Sequence, residues 1–135
     1  MIQTIREKIK EKLDALVTNN DLAVCFDHEP ETLNSYPCAT MQFKMVSDSI
    51  YDTAANLRDI KFLVRVYSKN ADKSQSEDDI VVAVWNIIEA IETDTTFGGT
   101  VLKTVCENAE RLNDVREMEV SYVDISVVST VRSNR

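Results

Sequence analysis

The chain opens with an apolar stripe of helical period. Isoleucine, leucine and valine recur at spacings of three and four from Ile2 to Val17, while charged residues fill the positions between them. This pattern is typical of an amphipathic helix that packs one face on a core and exposes the other to water. It predicts a helix over about 3–18, ended by the turn-forming residues of 19–21.

Two later segments, 39–45 and 60–67, alternate apolar and polar positions. A period of two is typical of strands with one face on a core and the other wetter. The two segments predict an antiparallel pair in which Phe43 and Phe62 share the buried face. Further strands are predicted at 23–27, 100–106 and 117–131, and a bulge near 122–124 would explain a change in the phase of the last alternation.

The stretch between the two alternating segments, 47–59, is long for a hairpin connection, where two to five residues are usual. It carries Ile50, Tyr51 and Leu57, which an exposed loop does not favour. One interpretation is an arm that orders against another subunit; the other is a loop folded back on its own domain. The three residues are candidates for an oligomer interface.

A second helix is predicted over about 77–93, and it has more apolar surface than one packing face requires. Five residues form one stripe, while Val81, Trp85 and their neighbours widen it well beyond a single side. A helix that is apolar most of the way round is buried on several sides. Val81 and Trp85 are therefore interface candidates, and the alternative for Trp85 is an ordinary core tryptophan.

The order of these elements predicts an α+β fold. We expect a mostly antiparallel sheet of about five strands with two helices packed on one face. A chain of 135 residues has the length of one domain, so residues 1–135 are expected to form a single domain.

Charge and hydropathy exclude several classes of function. The formal net charge is −8 and the pI about 4.6, which argues against binding DNA or RNA through its phosphates. The sequence contains no run of about 18 apolar residues, so we predict no membrane span. The first residues lack the pattern of a signal peptide. We expect the protein to stay in the compartment where it is made.

Motifs of catalysis are absent from the sequence. It has neither a phosphate-binding glycine loop nor a nucleophile elbow, so we predict no enzyme activity and no cofactor. Cys25, His28, Cys38 and Cys106 leave one question open. They contain the donor types of a Cys₃His zinc site, but only one short-spaced pair, and the alternative is three free thiols. A Cys–His catalytic pair is a further possibility that nothing else in the sequence supports.

The layout resembles the tail terminator (tail completion) proteins of long-tailed bacteriophages over nearly the whole chain. The turn at 94–101 is similar to that family's Asp-x-x-Leu-Gly-Gly-x-Val motif, with Phe97 in the leucine place. The other similar features are the opening helix 1–17, the step Tyr36-Pro37 into the strand 39–46, the strand 62–67 after a long connection, the helix 80–91 and the final strand 118–128.

The resemblance implies a structural virion protein without catalytic activity. It implies a homo-oligomeric ring, expected to be a hexamer, that is assembled in the host cytoplasm and lies at the head-proximal end of the tail. Its partners would be the tail tube protein and the head–tail connector, and DNA would pass through the lumen without specific binding. The alternatives are a head-completion or stopper protein and, from another class, an intracellular small-ligand-binding domain.

Overall fold

A computed structural model describes residues 1–33, 35–52, 55–69, 73–113 and 120–133. Within those ranges, the side chains of residues 48–52, 55–56, 73–74, 76, 112–113, 121 and 133 are outside the description.

Two helices and five strands make up the described chain. In order they are α1 (Ile2–Thr18), β1 (Val24–Cys25), β2 (Cys38–Asp52), β3 (Ala55–Lys69), α2 (Lys73–Glu92), β4 (Lys103–Asn113) and β5 (Val120–Ser133). Between α2 and β4 the chain turns through three consecutive residues with positive φ, Phe97, Gly98 and Gly99. Glycine adopts these angles without strain, which explains why both glycines of the chain lie here.

The strands form one sheet in the order β1-β2-β3-β5-β4. β1 pairs parallel with the start of β2, and the three other pairings are antiparallel. Both helices pack on the same face of this sheet, because their buried residues share one core cluster with β2, β3 and β5. The predicted α+β architecture is therefore confirmed.

The helix-bearing face holds the main core. α1 contributes Ile5, Ile9 and Leu13 and α2 contributes Ile80 and Ile87, all nearly or fully buried. Opposite them lie alternate residues of the strands, including Phe62, Val64, Val66, Ile125 and Val127. Phe43 pairs with Phe62 as predicted, with ring centroids 5.8 Å apart. The prediction that both side chains are buried is wrong for Phe43, which is half exposed because it lies outside the core cluster that buries Phe62.

The predicted long connection over 47–59 is wrong. β2 continues to Asp52 and β3 begins at Ala55, so the two strands extend the same antiparallel pair almost to the turn. The turn itself, 53–54, is outside the described residues. β5 follows β3 along its length, with Asn56 paired to Ser133. The segment is thus a long strand pair joined by a third strand, and not a loop folded back on the domain; its contact with another subunit stays a prediction.

The strands β5 and β4 also differ from the sequence prediction. β5 pairs with β3 in one register from Val120 to Ser133, without the predicted bulge near 122–124. The apolar residues change phase because both faces of β5 are covered, one by the helices and one by the segment before β2. Residues 107–113, which lie outside the predicted strands, belong to β4, whose bulge lies between Cys106 and Asn108.

Candidate subunit interface

α2 presents an exposed apolar ridge on the side that faces away from the core. Val81, Val82 and Trp85 form this ridge, with exposed fractions of 57%, 57% and 60%. On the opposite side of the helix, Ile80, Ala83 and Ile87 are buried, so α2 has apolar residues on both sides. The ridge carries the two residues of α2 that the sequence analysis selected, and the core alternative for Trp85 does not agree with its exposure.

A shallow groove separates the ridge from the edge strand β4. Its volume is about 370 Å³, and its walls include Val81, Val84 and Trp85 of α2 and Ala109 of β4. Arg111 of β4 donates a hydrogen bond to the Glu77 carboxylate at one end of the groove. This ion pair joins α2 to β4 at the surface.

A second apolar surface lies where α1 begins. Ile2 of α1 faces Val46 of β2, Ile60 of β3 and Val131 of β5 across a cavity of about 560 Å³. Arg58 and Arg132 also line it, and no acidic residue does so among the described side chains. The cavity is therefore an apolar hollow with basic residues in its wall. Sequence reasoning missed it, because its lining comes from four separate elements.

The candidate interface residues of the strand pair lie elsewhere. Ile50 is in β2, where it pairs with Asn56, and Tyr51 follows it. Their side chains are outside the described residues. Leu57 of β3 is partly buried between Ser49 and Arg132. The structure thus places Val81 and Trp85 together on α2, and Ile50, Tyr51 and Leu57 together at the far end of the strand pair.

The sheet face without helices is partly covered by the segment before β2. Leu33 and Tyr36 of that segment pack over a small cluster that contains Cys38, Tyr67 and Val120. The Tyr67 hydroxyl and the Thr40 hydroxyl both donate hydrogen bonds to Glu29, the latter at 2.7 Å. Burial, together with the bond to Glu29, raises the pKa of Tyr67 to about 12. The tyrosine therefore stays protonated and holds the segment in place.

Beside this cluster, Arg65 of β3 makes a two-pronged ion pair with Asp124 of β5. The Nε–Oδ1 and Nη2–Oδ2 distances are 2.7 and 3.1 Å. The Arg65 guanidinium also lies 4.4 Å from the centre of the Tyr122 ring. The hydrogen bond to Asp124 raises the pKa of Arg65 further above its ordinary value, so the guanidinium stays charged. It acts as a structural brace.

The thiols and the histidine are dispersed. Burial raises the pKa of Cys25 to about 11 and those of Cys38 and Cys106 to about 12, which keeps all three thiols protonated and unreactive. Cys25 donates to Asp14, and His28 contacts Asp27. Among the described residues no three His, Cys, Asp or Glu side chains form a group that could hold a metal ion. The four candidate zinc ligands do not come together.

Comparison with known proteins shows a similarity of fold. No protein-family model matches the sequence, and no curated protein matches it either. A solved structure described as the virion of a native gene transfer agent particle contains a chain with a similar fold. The two chains are 14% identical, the TM-score is 0.67, and the match covers 95% of this chain and 94% of that chain. Within the described residues, no helix is long and apolar enough to cross a membrane. At this identity the likeness shows a shared fold over nearly the whole chain.

Proposed function

We propose that this protein is a structural subunit of a phage-like particle, and that it works as a tail terminator. Residues 1–135 act as one domain. Copies of it form a ring, expected to be hexameric, on the last ring of tail tube subunits. The ring ends tube growth, joins the tail to the head connector and lets DNA pass through its lumen. It is assembled in the host cytoplasm and performs no catalysis.

The observation that carries this proposal is the fold shared with a chain of a gene transfer agent virion, end to end. A match over 95% of this chain leaves little of it for an added catalytic or ligand-binding part. The layout and the turn at 94–101, which resemble tail terminators, support the finer assignment within the virion.

Two properties of the surface agree with a ring around DNA. The ridge on α2 exposes three large apolar side chains side by side, and such contiguous patches mark sites of protein contact. The net charge of −8 disfavours tight binding of phosphates, so DNA would pass without adhering.

The proposal is tested by adding the purified protein to tail tube subunits of the same particle while they polymerise. Electron microscopy should show shorter tubes, each with a ring of extra density at one end. The control is the Trp85→Asp variant, which we expect to leave tube length unchanged. Tubes of normal length with no terminal density would contradict the tail assignment, and binding to the isolated connector alone would favour a stopper protein.

A further inference from the structure

The ridge and the cavity are two unlike apolar surfaces on one chain, and they are far apart. The ridge lies over Val123 near the start of β5, whereas the cavity includes Val131 near its end. Eight residues of strand separate these positions, or about 26 Å at roughly 3.3 Å per residue. The two surfaces also lie towards opposite edges of the sheet, near β4 and near β2. The ridge cannot fill the cavity of its own chain.

The two surfaces complement each other in shape. The ridge is convex and ends in an indole that is 60% exposed. The cavity is concave, and its volume of about 560 Å³ lies within the roughly 300–1,000 Å³ of pockets that bind small molecules. Tryptophan is one of the residues enriched among the anchors that fill well-packed pockets in protein interfaces.

The two surfaces also complement each other in charge. Asp78 and Glu89 lie on the exposed side of α2, one on each side of the ridge. The described charged side chains in the cavity lining are Arg58 and Arg132, both basic. Arg58 already has an interaction within its own chain, so the exposed Arg132 is the residue that can face the acids beside the ridge. Opposite charges at the rim of an apolar contact favour one orientation of the partner and disfavour the contact of like with like. Two ridges placed together would bring Asp78 and Glu89 near acids of the same kind.

We propose that the occupant of the cavity is a second copy of this chain, whose ridge of Val81, Val82 and Trp85 enters it. The inference rests on the proposed function, since it names the contact that joins neighbouring subunits. Such a contact is heterologous, because one copy offers the ridge and the next offers the cavity. Repetition of a heterologous contact produces a closed ring when its rotation closes, and an open filament otherwise.

The test uses two variants that each disable one surface. Trp85→Asp removes the anchor and leaves the cavity intact. Ile2→Glu places an acid in the cavity opposite the acids beside the ridge, at a residue that is 40% exposed. A glutamate is favourable in the first turn of a helix, so Ile2→Glu should fold. Val82→Asp and Val46→Glu serve as second variants of the ridge and the cavity, and Leu102→Glu, 46% exposed and on neither surface, is the control.

Sedimentation velocity then measures each protein alone and the two variants mixed in equal amounts. We expect each variant alone to associate at least about 30-fold more weakly than the unaltered protein, as is typical when an interface anchor is lost. Leu102→Glu should associate normally. The mixture should form one-to-one heterodimers and nothing larger, because only one functional contact is available between the two variants.

Each remaining outcome overturns a distinct claim. If the unaltered protein forms oligomers but the mixture stays monomeric, or if Trp85→Asp alone assembles normally, the ridge-and-cavity contact is wrong while the proposed ring stands. If the unaltered protein stays monomeric at tens of micromolar, both the contact and the self-assembling ring are wrong.

Discussion

Two aromatic regions of this molecule differ in what covers them. Around Tyr67, the chain supplies its own cover: Leu33 and Tyr36 pack over the ring, and Glu29 accepts its hydroxyl. Around Trp85, the described chain supplies less than half of the cover, and most of the side chain faces water. A protein exposes single apolar residues without consequence, but a run of three on a rigid helix is typical of a binding surface. The comparison separates residues that hold the fold from residues that are available to a partner.

The largest effect on folding should come from truncating the covered ring. Tyr67→Ala removes a fully buried aromatic side chain and leaves Glu29 with Thr40 as its remaining donor, so we expect the free energy of unfolding to fall by about 3–5 kcal/mol. Tyr67→Phe keeps the ring and loses only the hydroxyl, at about 1 kcal/mol. Urea denaturation measures both, in a Trp85→Asp background so that assembly does not contribute. Equal losses for the two variants would show that ring packing is unimportant here.

The brace beside that ring should give the next largest effect. Asp124→Asn removes the negative charge that faces the Arg65 guanidinium, and hydrogen bonds to charged groups contribute about 1.5–3 kcal/mol. We expect a loss within that range, again by urea denaturation. The surface pair Lys10 and Asp14 offers a matched control, because Lys10→Gln should change stability by less than about 1 kcal/mol. Similar losses in the free energy of unfolding for both variants would show that the Arg65–Asp124 pair contributes no more than the surface pair.

Truncation of the uncovered ring should affect folding less. Trp85 is 60% exposed, so Trp85→Ala removes only the packing of the covered part, which we expect to be about 1 kcal/mol. Thermal and urea unfolding of dilute protein measure this value directly. A loss as large as that of Tyr67→Ala would show that Trp85 belongs to the core, and the comparison would fail.

The smallest effect concerns acid stability at the surface. The hydrogen bond from Lys10 and that from Cys25 lower the pKa of Asp14. A carboxyl with a lowered pKa in the folded state stabilises the protein above its unfolded pKa of about 3.9, and that contribution is lost as the pH falls further. Because Asp14 is more than half exposed, solvent screening keeps the contribution below about 1 kcal/mol.

Asp14→Asn should therefore lower stability slightly near neutral pH and leave it unchanged at pH values well below the unfolded pKa. Urea midpoints measured across this range check the sign. A variant that loses more stability in acid than at neutral pH would contradict the assignment.

The sequence predicted those elements that have one buried side and one side exposed to water. α1 alternates a buried and a wet face, and its observed range of Ile2–Thr18 agrees with the prediction within a residue at its start. Residues 47–52 and 55–59 did not read as strand, because polar and charged residues there interrupt the alternation on which a strand prediction depends. Residues 107–113 were not predicted as strand for the same reason. Residues 107–111 are all exposed at the sheet edge, so their sequence shows no alternation of apolar and polar positions.

Of the two surfaces of the candidate interface, the ridge could be predicted from the sequence and the cavity could not. Val81 and Trp85 were identified because α2 has more apolar residues than one packing face requires. The helical period assigns each residue to a side of the helix from the sequence alone. The sequence does not predict the cavity, because its lining residues become neighbours only through the order of the strands in the sheet. These residues are Ile2, Val46, Ile60 and Val131. One signal existed in Ile2, an apolar residue that lies in the stripe of α1 but ahead of its buried part.

The central claim is that this protein functions by self-association through an exposed surface. Its most direct test is the molar mass of the unaltered protein, measured by light scattering over a range of concentrations up to tens of micromolar, beside that of Trp85→Asp. The account predicts oligomers up to a ring for the former, and a folded monomer with an unchanged circular dichroism spectrum for the latter. A folded monomer at every concentration for both proteins, or identical oligomers for both, would contradict it.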